Sequence, residues 1–133
     1  MTALEAAAAA LARRDRAAAD LVAHLVRKGF AADEAETAVR RLHESGYVDD
    51  GRYVARRAEL LAERGYGDEA IRARLGQDGV EDDAIAAALD ALPPERDRAL
   101  AALPAVPTAA ALRRLAAKGF TAEALEAAAA LLD

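Results

Sequence analysis

The side chains best suited to chemistry in this sequence are its arginines, which account for sixteen of the eighteen basic residues. A guanidinium group can bind a carboxylate or a phosphate through two parallel hydrogen bonds, whereas the ammonium group of lysine cannot. Arg52, Arg56 and Arg64 lie in one stretch of helical character, and Arg72 lies near the start of the next. We therefore predict a partner-binding site at these four arginines, the first three of which have few acidic neighbours at helical spacing.

A solvated helix surface is the plainer interpretation of the same arginines. Arg40 follows Glu36 by four residues and Arg72 follows Asp68 by four residues, so each is expected to pair with that carboxylate within its helix. Such pairs contribute about 0.2–0.5 kcal/mol each. A genome rich in G and C would also produce many arginines, so their position carries more information than their number.

Three tyrosines lie in or next to the middle of the chain, at Tyr47, Tyr53 and Tyr66. Aromatic rings of single-strand-binding proteins stack on bases, which makes the tyrosines a candidate nucleic-acid platform. Tyr47 and Tyr66 fall at predicted helix junctions, where an amphipathic ring often covers a turn. We favour packing over stacking for all three.

Residues for catalysis or metal binding are sparse. The two histidines, His24 and His43, lack the His-Glu-x-x-His spacing of zinc sites, and the chain has no cysteine. Both histidines are expected to pack or to lie at helix ends. The acidic run 81–83 fits the start of a helix, where carboxylates favour the positive end of the helix dipole. No phosphate-binding glycine loop or nucleophile elbow is present, so we predict no catalytic residues, no metal and no cofactor.

Composition and charge restrict the class of protein further. The 133 residues are 54% apolar and 31% charged, which is typical of a folded globular domain. Residues 1–57 hold ten basic and nine acidic residues, whereas residues 58–133 hold eight and fourteen. A sequence pI of about 5.1 disfavours a protein that mainly binds duplex DNA. Neither a run of about 18 apolar residues nor a signal peptide is present, so we expect a cytoplasmic protein.

A repeated pattern organises the chain. Amphipathic stretches end at Gly29, Gly79 and Gly119, each glycine is followed by a large apolar residue, and a second amphipathic stretch then begins. Glycine adopts the left-handed conformation that ends many helices, and the next apolar residue can fold back on the last turn. The pattern therefore predicts three helix–turn–helix pairs.

One further helix precedes each pair. These helices are predicted over residues 2–14, over 50–65 with Asp50 as the N-terminal cap, and over 94–103. No segment shows the alternation of a β-strand. The prediction is an all-α protein of about nine helices, in three tandem three-helix repeats arranged as an elongated and curved molecule. The predicted repeats cover residues 1–48, 49–92 and 93–133.

Several of these motifs together resemble the RecX family. They are Arg13-Arg-Asp-Arg16 with Leu21 and Leu25, Arg27-Lys-Gly-Phe30, Ser45-Gly-Tyr-Val-Asp-Asp50 with Arg52-Tyr53, and Arg64-Gly-Tyr-Gly67 with Ile71 and Leu75. Their order, spacing and residue types agree with the family over residues 11–92. The third helix pair extends the agreement toward the C-terminus.

The resemblance implies a regulator of the RecA recombinase in DNA repair, homologous recombination and the SOS response. It implies three three-helix repeats that insert into the groove of a RecA–DNA filament and limit ATP hydrolysis, strand exchange and co-protease activity. We expect a monomer without enzymatic activity, whose partner is the RecA filament, with DNA phosphate as a further contact of the arginines. Two alternatives stay open, a general helical-repeat interaction module and a helical protein that binds nucleic acid directly.

Overall fold

The computed structural model describes residues 1–132 and has nine α-helices and no β-strand in that range. Asp133, the last residue of the predicted third repeat, lies outside the described residues. The prediction of an all-α fold is confirmed. Within the described range, no helix is long and apolar enough to cross a membrane. The helices are α1 (Ala3–Arg13), α2 (Ala18–Arg27), α3 (Ala32–Glu44), α4 (Asp50–Glu63), α5 (Asp68–Gln77), α6 (Asp82–Asp90), α7 (Glu95–Ala102), α8 (Ala109–Ala117) and α9 (Ala122–Ala129), followed by a 3-10 turn over Ala130–Leu132.

The helices pack in three groups of three, each around its own apolar cluster. Leu21 and Leu25 are fully buried among α1–α3, and Ile71 and Leu75 among α4–α6. The buried residues of the α7–α9 cluster are Phe120, one leucine and three alanines. Helices of these groups place apolar residues at helical spacing on one face, which is why each triplet can enclose a core. The boundaries at 48/49 and 92/93, and the elongated, curved shape, stay predictions.

The predicted glycine turns are confirmed. Gly29 and Gly119 have φ values of 104° and 86°, in the left-handed region that residues with a side chain rarely adopt. The N–H of Phe30 donates to the carbonyl of Leu25 at 3.1 Å, and the helix before Gly79 ends with a hydrogen bond of the same kind. This six-to-one hydrogen bond is the mark of a Schellman cap.

The prediction that Asp50 caps α4 is wrong. Asp49 is the cap, because its Oδ1 accepts a hydrogen bond from the N–H of Arg52 at 3.0 Å. The Asp50 carboxylate instead accepts from the N–H of Ala18 at 2.8 Å, at the start of α2. Ala17, the residue before α2, offers no side-chain cap of its own. Asp50 therefore satisfies a helix end of the preceding triplet.

Glu95 makes the corresponding contact one triplet further along. It is the first residue of α7, as Asp50 is of α4, and its Oε2 accepts from the N–H of Asp68 at 2.8 Å. The residue before α5, Gly67, likewise offers no side-chain cap. We call the contact of α2 with α4–α6 the first joint, and the contact of α5 with α7–α9 the second joint.

The second joint also brings two stretches of backbone into direct contact. The N–H of Gly67 donates to the carbonyl of Lys118 at 2.8 Å, and that of Glu69 to the carbonyl of Gly119 at 3.0 Å. A Cβ atom on Gly67 would overlap the backbone of Phe120. Glycine is therefore required at position 67 because a side chain would not fit there. Its backbone conformation is not the reason, since a φ of −85° is accessible to any residue.

Candidate partner-binding surface

The structure places all four predicted arginines at the surface. Arg52 and Arg56 lie one turn apart on α4, Arg64 is the C-terminal cap of that helix, and Arg72 lies on α5. Residues four apart in a helix lie on the same face, so Arg52 and Arg56 can act on one ligand. All four side chains are exposed.

None of the four arginines forms an ion pair with another described residue. The predicted pairing of Arg72 with Asp68 is wrong, because Asp68 binds Arg98 of α7 at the second joint. Arg52 approaches the carbonyl oxygen of Gly46 at 3.5 Å, which is a long hydrogen bond. The four guanidinium groups are thus free to bind carboxylate or phosphate from a partner.

The predicted pair of Arg40 with Glu36 is also absent, although both side chains are described and exposed. Surface pairs of this kind contribute little, since two long side chains lose conformational freedom to form them. Charge spacing alone therefore overestimated local pairing in two of the helices.

Arg52 and Arg56 line a surface groove between α1, the α1–α2 loop and α4. The groove consists of a cavity of about 530 Å³ that includes Arg52 and a cavity of about 250 Å³ that includes Arg56. Asp15 of the loop lines both cavities. Arg64 and Arg72 lie outside this groove. The predicted site is therefore divided, with two of its residues brought together and the other two set apart.

Neighbouring arginines of the groove are already engaged. Arg16 binds Asp20 at 3.0 Å, and Arg14 lies 3.9 Å from the same carboxylate. Arg57 lies 3.9 Å from Asp78. These contacts reduce the ability of Arg14, Arg16 and Arg57 to bind another anion, so Arg52 and Arg56 remain the main candidates.

Apolar side chains complete the groove. Leu11 and the ring of Tyr47 line the larger cavity, while Leu60 and the ring of Tyr53 line the smaller one. Tyr47 is 68% exposed, so the expectation that it packs over its helix junction is wrong. Three lining residues, Leu11, Asp15 and Leu60, are not among the site residues that the sequence predicts. Nothing in their helical spacing separates them from ordinary surface residues, because only the fold brings α1 and α4 together.

The other two tyrosines pack as expected. Burial, followed by a 2.7 Å hydrogen bond that its hydroxyl donates to Asp78, raises the pKa of Tyr53 to about 12. The ring of Tyr66 packs against the core of α4–α6, and the cationic groups of Arg74 and Lys118 each lie 4.2 Å from its centre. Cation–π contacts of this kind leave little of the Tyr66 ring for a base to stack on.

The histidines lie near helix ends, as expected. His43 is exposed in the last turn of α3. His24 is half-buried in the last part of α2, where burial and then the positive charges of Arg16 and Lys28 lower its pKa below the ordinary value. Among the described residues, no group of three potential metal ligands occurs together.

The fold and the groove define a helical protein of three-helix units with a cationic, partly apolar surface groove. No family model matches the chain. A RecX regulatory protein of Vibrio cholerae serotype O1 (strain M66-2) is 35% identical over 65 residues, which are 49% of this chain and 43% of the relative. A RecX of Stenotrophomonas maltophilia (strain R551-3) is 36% identical over 66 residues, 50% of this chain and 40% of the relative. The matched segment thus spans less than half the length of these relatives.

Solved structures of RecX proteins share the fold across nearly the whole chain. The crystal structure of RecX from Lactobacillus salivarius has a TM-score of 0.85 at 15% identity and covers 98% of this chain and 94% of its own. A second crystal structure, described as regulatory protein RecX, has a TM-score of 0.80 at 20% identity, with 96% and 70% covered. The resemblance to the RecX family is therefore confirmed, in sequence over about half of the chain and in fold over almost all of it.

Proposed function

We propose that this protein binds the RecA recombinase or its filament on DNA and inhibits ATP hydrolysis, strand exchange and co-protease activity. The observation that carries the proposal is the fold similarity to RecX from Lactobacillus salivarius over 98% of the chain. The sequence similarity to proteins named regulatory protein RecX supports it independently.

Binding in this proposal uses exposed arginines and needs no catalysis. Arg52 and Arg56 in the groove make one contact, and Arg64 and Arg72 make a second contact elsewhere on α4 and α5. Two weak contacts on one rigid molecule give a higher combined affinity than either contact alone, provided that both can form at once. A filament offers repeated copies of the same subunit, so it suits a ligand with separated contacts.

The remaining parts of the proposal are a monomeric, cytoplasmic protein without enzymatic activity and without a cofactor. DNA phosphate is a secondary contact of the same arginines. The acidic half of the chain, residues 58–133, makes DNA unsuitable as the main partner, since duplex DNA repels negative charge.

The direct test is the ATPase rate of the cognate RecA on single-stranded DNA, titrated with this protein. We expect inhibition at less than one protein per RecA subunit, because occupying a few sites along a filament affects its neighbours. Charge reversal of Arg52, Arg56 and Arg64 should weaken inhibition by about tenfold or more, as expected for lost charged hydrogen bonds.

A matched control reverses the charge of Arg113 and Arg114, two exposed arginines of α8. This control should inhibit like the unmodified protein. Full inhibition by the triple variant would contradict the site, and no inhibition by a folded unmodified protein would favour the general interaction module. The direct nucleic-acid alternative predicts that binding to DNA alone falls with salt, with a log–log slope of about −0.9 per phosphate neutralised.

A further inference from the structure

The groove combines three features that a simple charged surface does not have. Arg52 and Arg56 are exposed without an ion-pair partner among the described residues. Tyr47 is 68% and Leu60 36% exposed, so apolar surface lies beside both guanidinium groups. Asp15 lies in the wall that the two cavities share. A ligand for this groove must therefore bring apolar atoms together with a few separated negative charges.

Nucleic acid meets these conditions poorly. A phosphate backbone carries closely spaced charges and is best bound by a row of cations, with bases stacked on free aromatic faces. The groove has two arginines without an ion pair to a described residue, and the carboxylate of Asp15 lines both of its cavities. The ring of Tyr53 is held by Asp78 through its hydroxyl, so Tyr47 is left as a single exposed ring and successive bases would have no row of aromatic faces to stack on. A protein segment carries fewer charges per unit length, and its apolar side chains can enter the cavities.

The size of the cavities agrees with a protein segment. The larger one measures about 530 Å³ and is lined by Leu11, Leu42 and Tyr47 as well as Arg52. Apolar lining with one or two well-placed charged groups is the usual composition of a site that anchors a side chain and orients it. Aromatic and arginine side chains are also the residues that contribute most to protein–protein binding.

We propose that the groove binds a short acidic segment of a partner protein, with an apolar side chain in the larger cavity and carboxylates on Arg52 and Arg56. The proposal rests on the proposed function in that it names the kind of surface through which a protein partner is recognised. Asp15 sets the selectivity, because its carboxylate repels a segment that carries too many negative charges at that point. Asp15 is exposed and pairs with no described cation.

The test uses fluorescence anisotropy with the full chain and three labelled probes. The first probe is a short peptide of glutamate and aspartate with leucines interspersed, the second has serine in place of the leucines, and the third is a single-stranded oligothymidine of matched charge. We expect the first probe to bind at least about tenfold more tightly than the other two, because it alone offers both apolar atoms and carboxylates. Equal or tighter binding of the oligothymidine would overturn the proposal.

Variants then locate the binding. Arg52→Ala with Arg56→Ala, and separately Tyr47→Ala, should each weaken binding of the first peptide about tenfold. The double variant Arg113→Ala with Arg114→Ala is the control and should bind normally. Asp15→Asn should tighten binding about threefold, whereas Asp90→Asn, an equal change of charge at an exposed residue of α6, should not. Unchanged binding in the Arg52/Arg56 variant, or equal effects of the two aspartate variants, would overturn the proposal.

The peptide measurement contains no recombinase, so the two proposals can fail separately. Peptide binding without inhibition of the RecA ATPase would leave the groove as a site for acidic segments of another protein. Inhibition of the RecA ATPase by an unmodified protein that binds none of the peptides would overturn the present inference alone.

Discussion

The two joints of this molecule both supply an acceptor for the uncapped start of a helix, but they differ in the number of polar contacts that they make. Both α2 and α5 begin without a side-chain cap, and in both cases a carboxylate from the next triplet accepts a hydrogen bond from the first N–H group. At the first joint, Asp50 accepts this one hydrogen bond, and the other contacts described below are made by small side chains. Ala17 is buried in the core of α4–α6, and Gly79 lies so close to Ala19 that a Cβ atom there would be 2.7 Å from the Ala19 side chain.

The second joint has many more polar contacts. Glu95 accepts from the N–H of Asp68 across the joint, and within α7–α9 it also accepts from the N–H of Thr121 at 3.1 Å and from its hydroxyl at 2.5 Å. Arg98 binds Asp68 and donates to the carbonyl of Tyr66 at 3.2 Å. Three elements of two triplets are thus joined through two charged side chains.

The difference between the two joints follows the amount of apolar area that the cores of the triplets bury. Among the described residues, the core of α7–α9 has two large buried side chains, Phe120 and Leu115, and the remaining buried members are alanines. Alanine buries little apolar area, so this triplet gains less from the hydrophobic effect than α1–α3 with Leu21, Leu25 and Leu42. We expect a triplet with a smaller core to depend more on its neighbour, and the polar contacts of the second joint are where that dependence would lie.

The largest expected effect comes from adding a methyl group at the second joint. Gly67→Ala should lower the free energy of unfolding by about 2 kcal/mol or more, because the new Cβ overlaps backbone that cannot move without separating α5 from α8–α9. Gly76→Ala is the matched control, since nothing lies within 4 Å of its added Cβ. It should be neutral or stabilise α5 by up to about 1 kcal/mol. Urea unfolding followed by circular dichroism measures both, and similar values would show that the joint tolerates separation.

A smaller effect should follow from removing each carboxylate. Glu95→Ala should cost about 2 kcal/mol, because it leaves three donors of two triplets without their acceptor. Asp50→Ala should cost about 1 kcal/mol, the usual value for one lost helix cap. Hydrogen exchange at the amide of Asp68, compared with that of Ala18, identifies which joint opens. Equal losses in the two variants would remove the distinction between the joints.

The smallest effect concerns pH and the first joint. Tyr53 holds Asp78, in the turn that approaches α2, and its pKa is raised to about 12 in the folded state. The folded state therefore keeps the phenolic proton where the unfolded chain, with a pKa near 10, loses it. The contribution of the Tyr53 hydroxyl to the free energy of unfolding is fully present below about pH 10 and decreases between about pH 10 and 12. Tyr53→Phe should remove this part of the alkaline slope, and an unchanged slope in that variant would assign it to other groups.

Local chemistry made the helices and their turns predictable. The glycine followed by a large apolar residue fixes where α2, α5 and α8 end, since the left-handed turn depends on residues adjacent in sequence. Contacts between triplets could not be predicted in the same way. Asp50 was assigned to its own helix and Asp68 to Arg72, because spacing along a helix says nothing about the Ala18 amide or Arg98 nearby in space.

The candidate site likewise has a part that could be predicted from the sequence and a part that could not. The exposure of Arg52 and Arg56 and their common helix face were predictable from spacing alone. The groove was not, because Leu11 and Asp15 come from another triplet and join these arginines only after α1 and α4 are placed. A missing cap did not mark the joints either, since Ala31 before α3 offers no side-chain cap any more than Ala17 and Gly67 do.

The caps that cross from one triplet to the preceding one also give the molecule an order of assembly on the ribosome. α2 emerges from the exit tunnel before Asp50 does, and α5 before Glu95, because the chain leaves the ribosome in sequence order. Each of these helices therefore has an open first turn until the first helix of the following triplet has emerged as well. A pause in translation that keeps Asp50 or Glu95 inside the tunnel would prolong the half-closed state of the preceding unit.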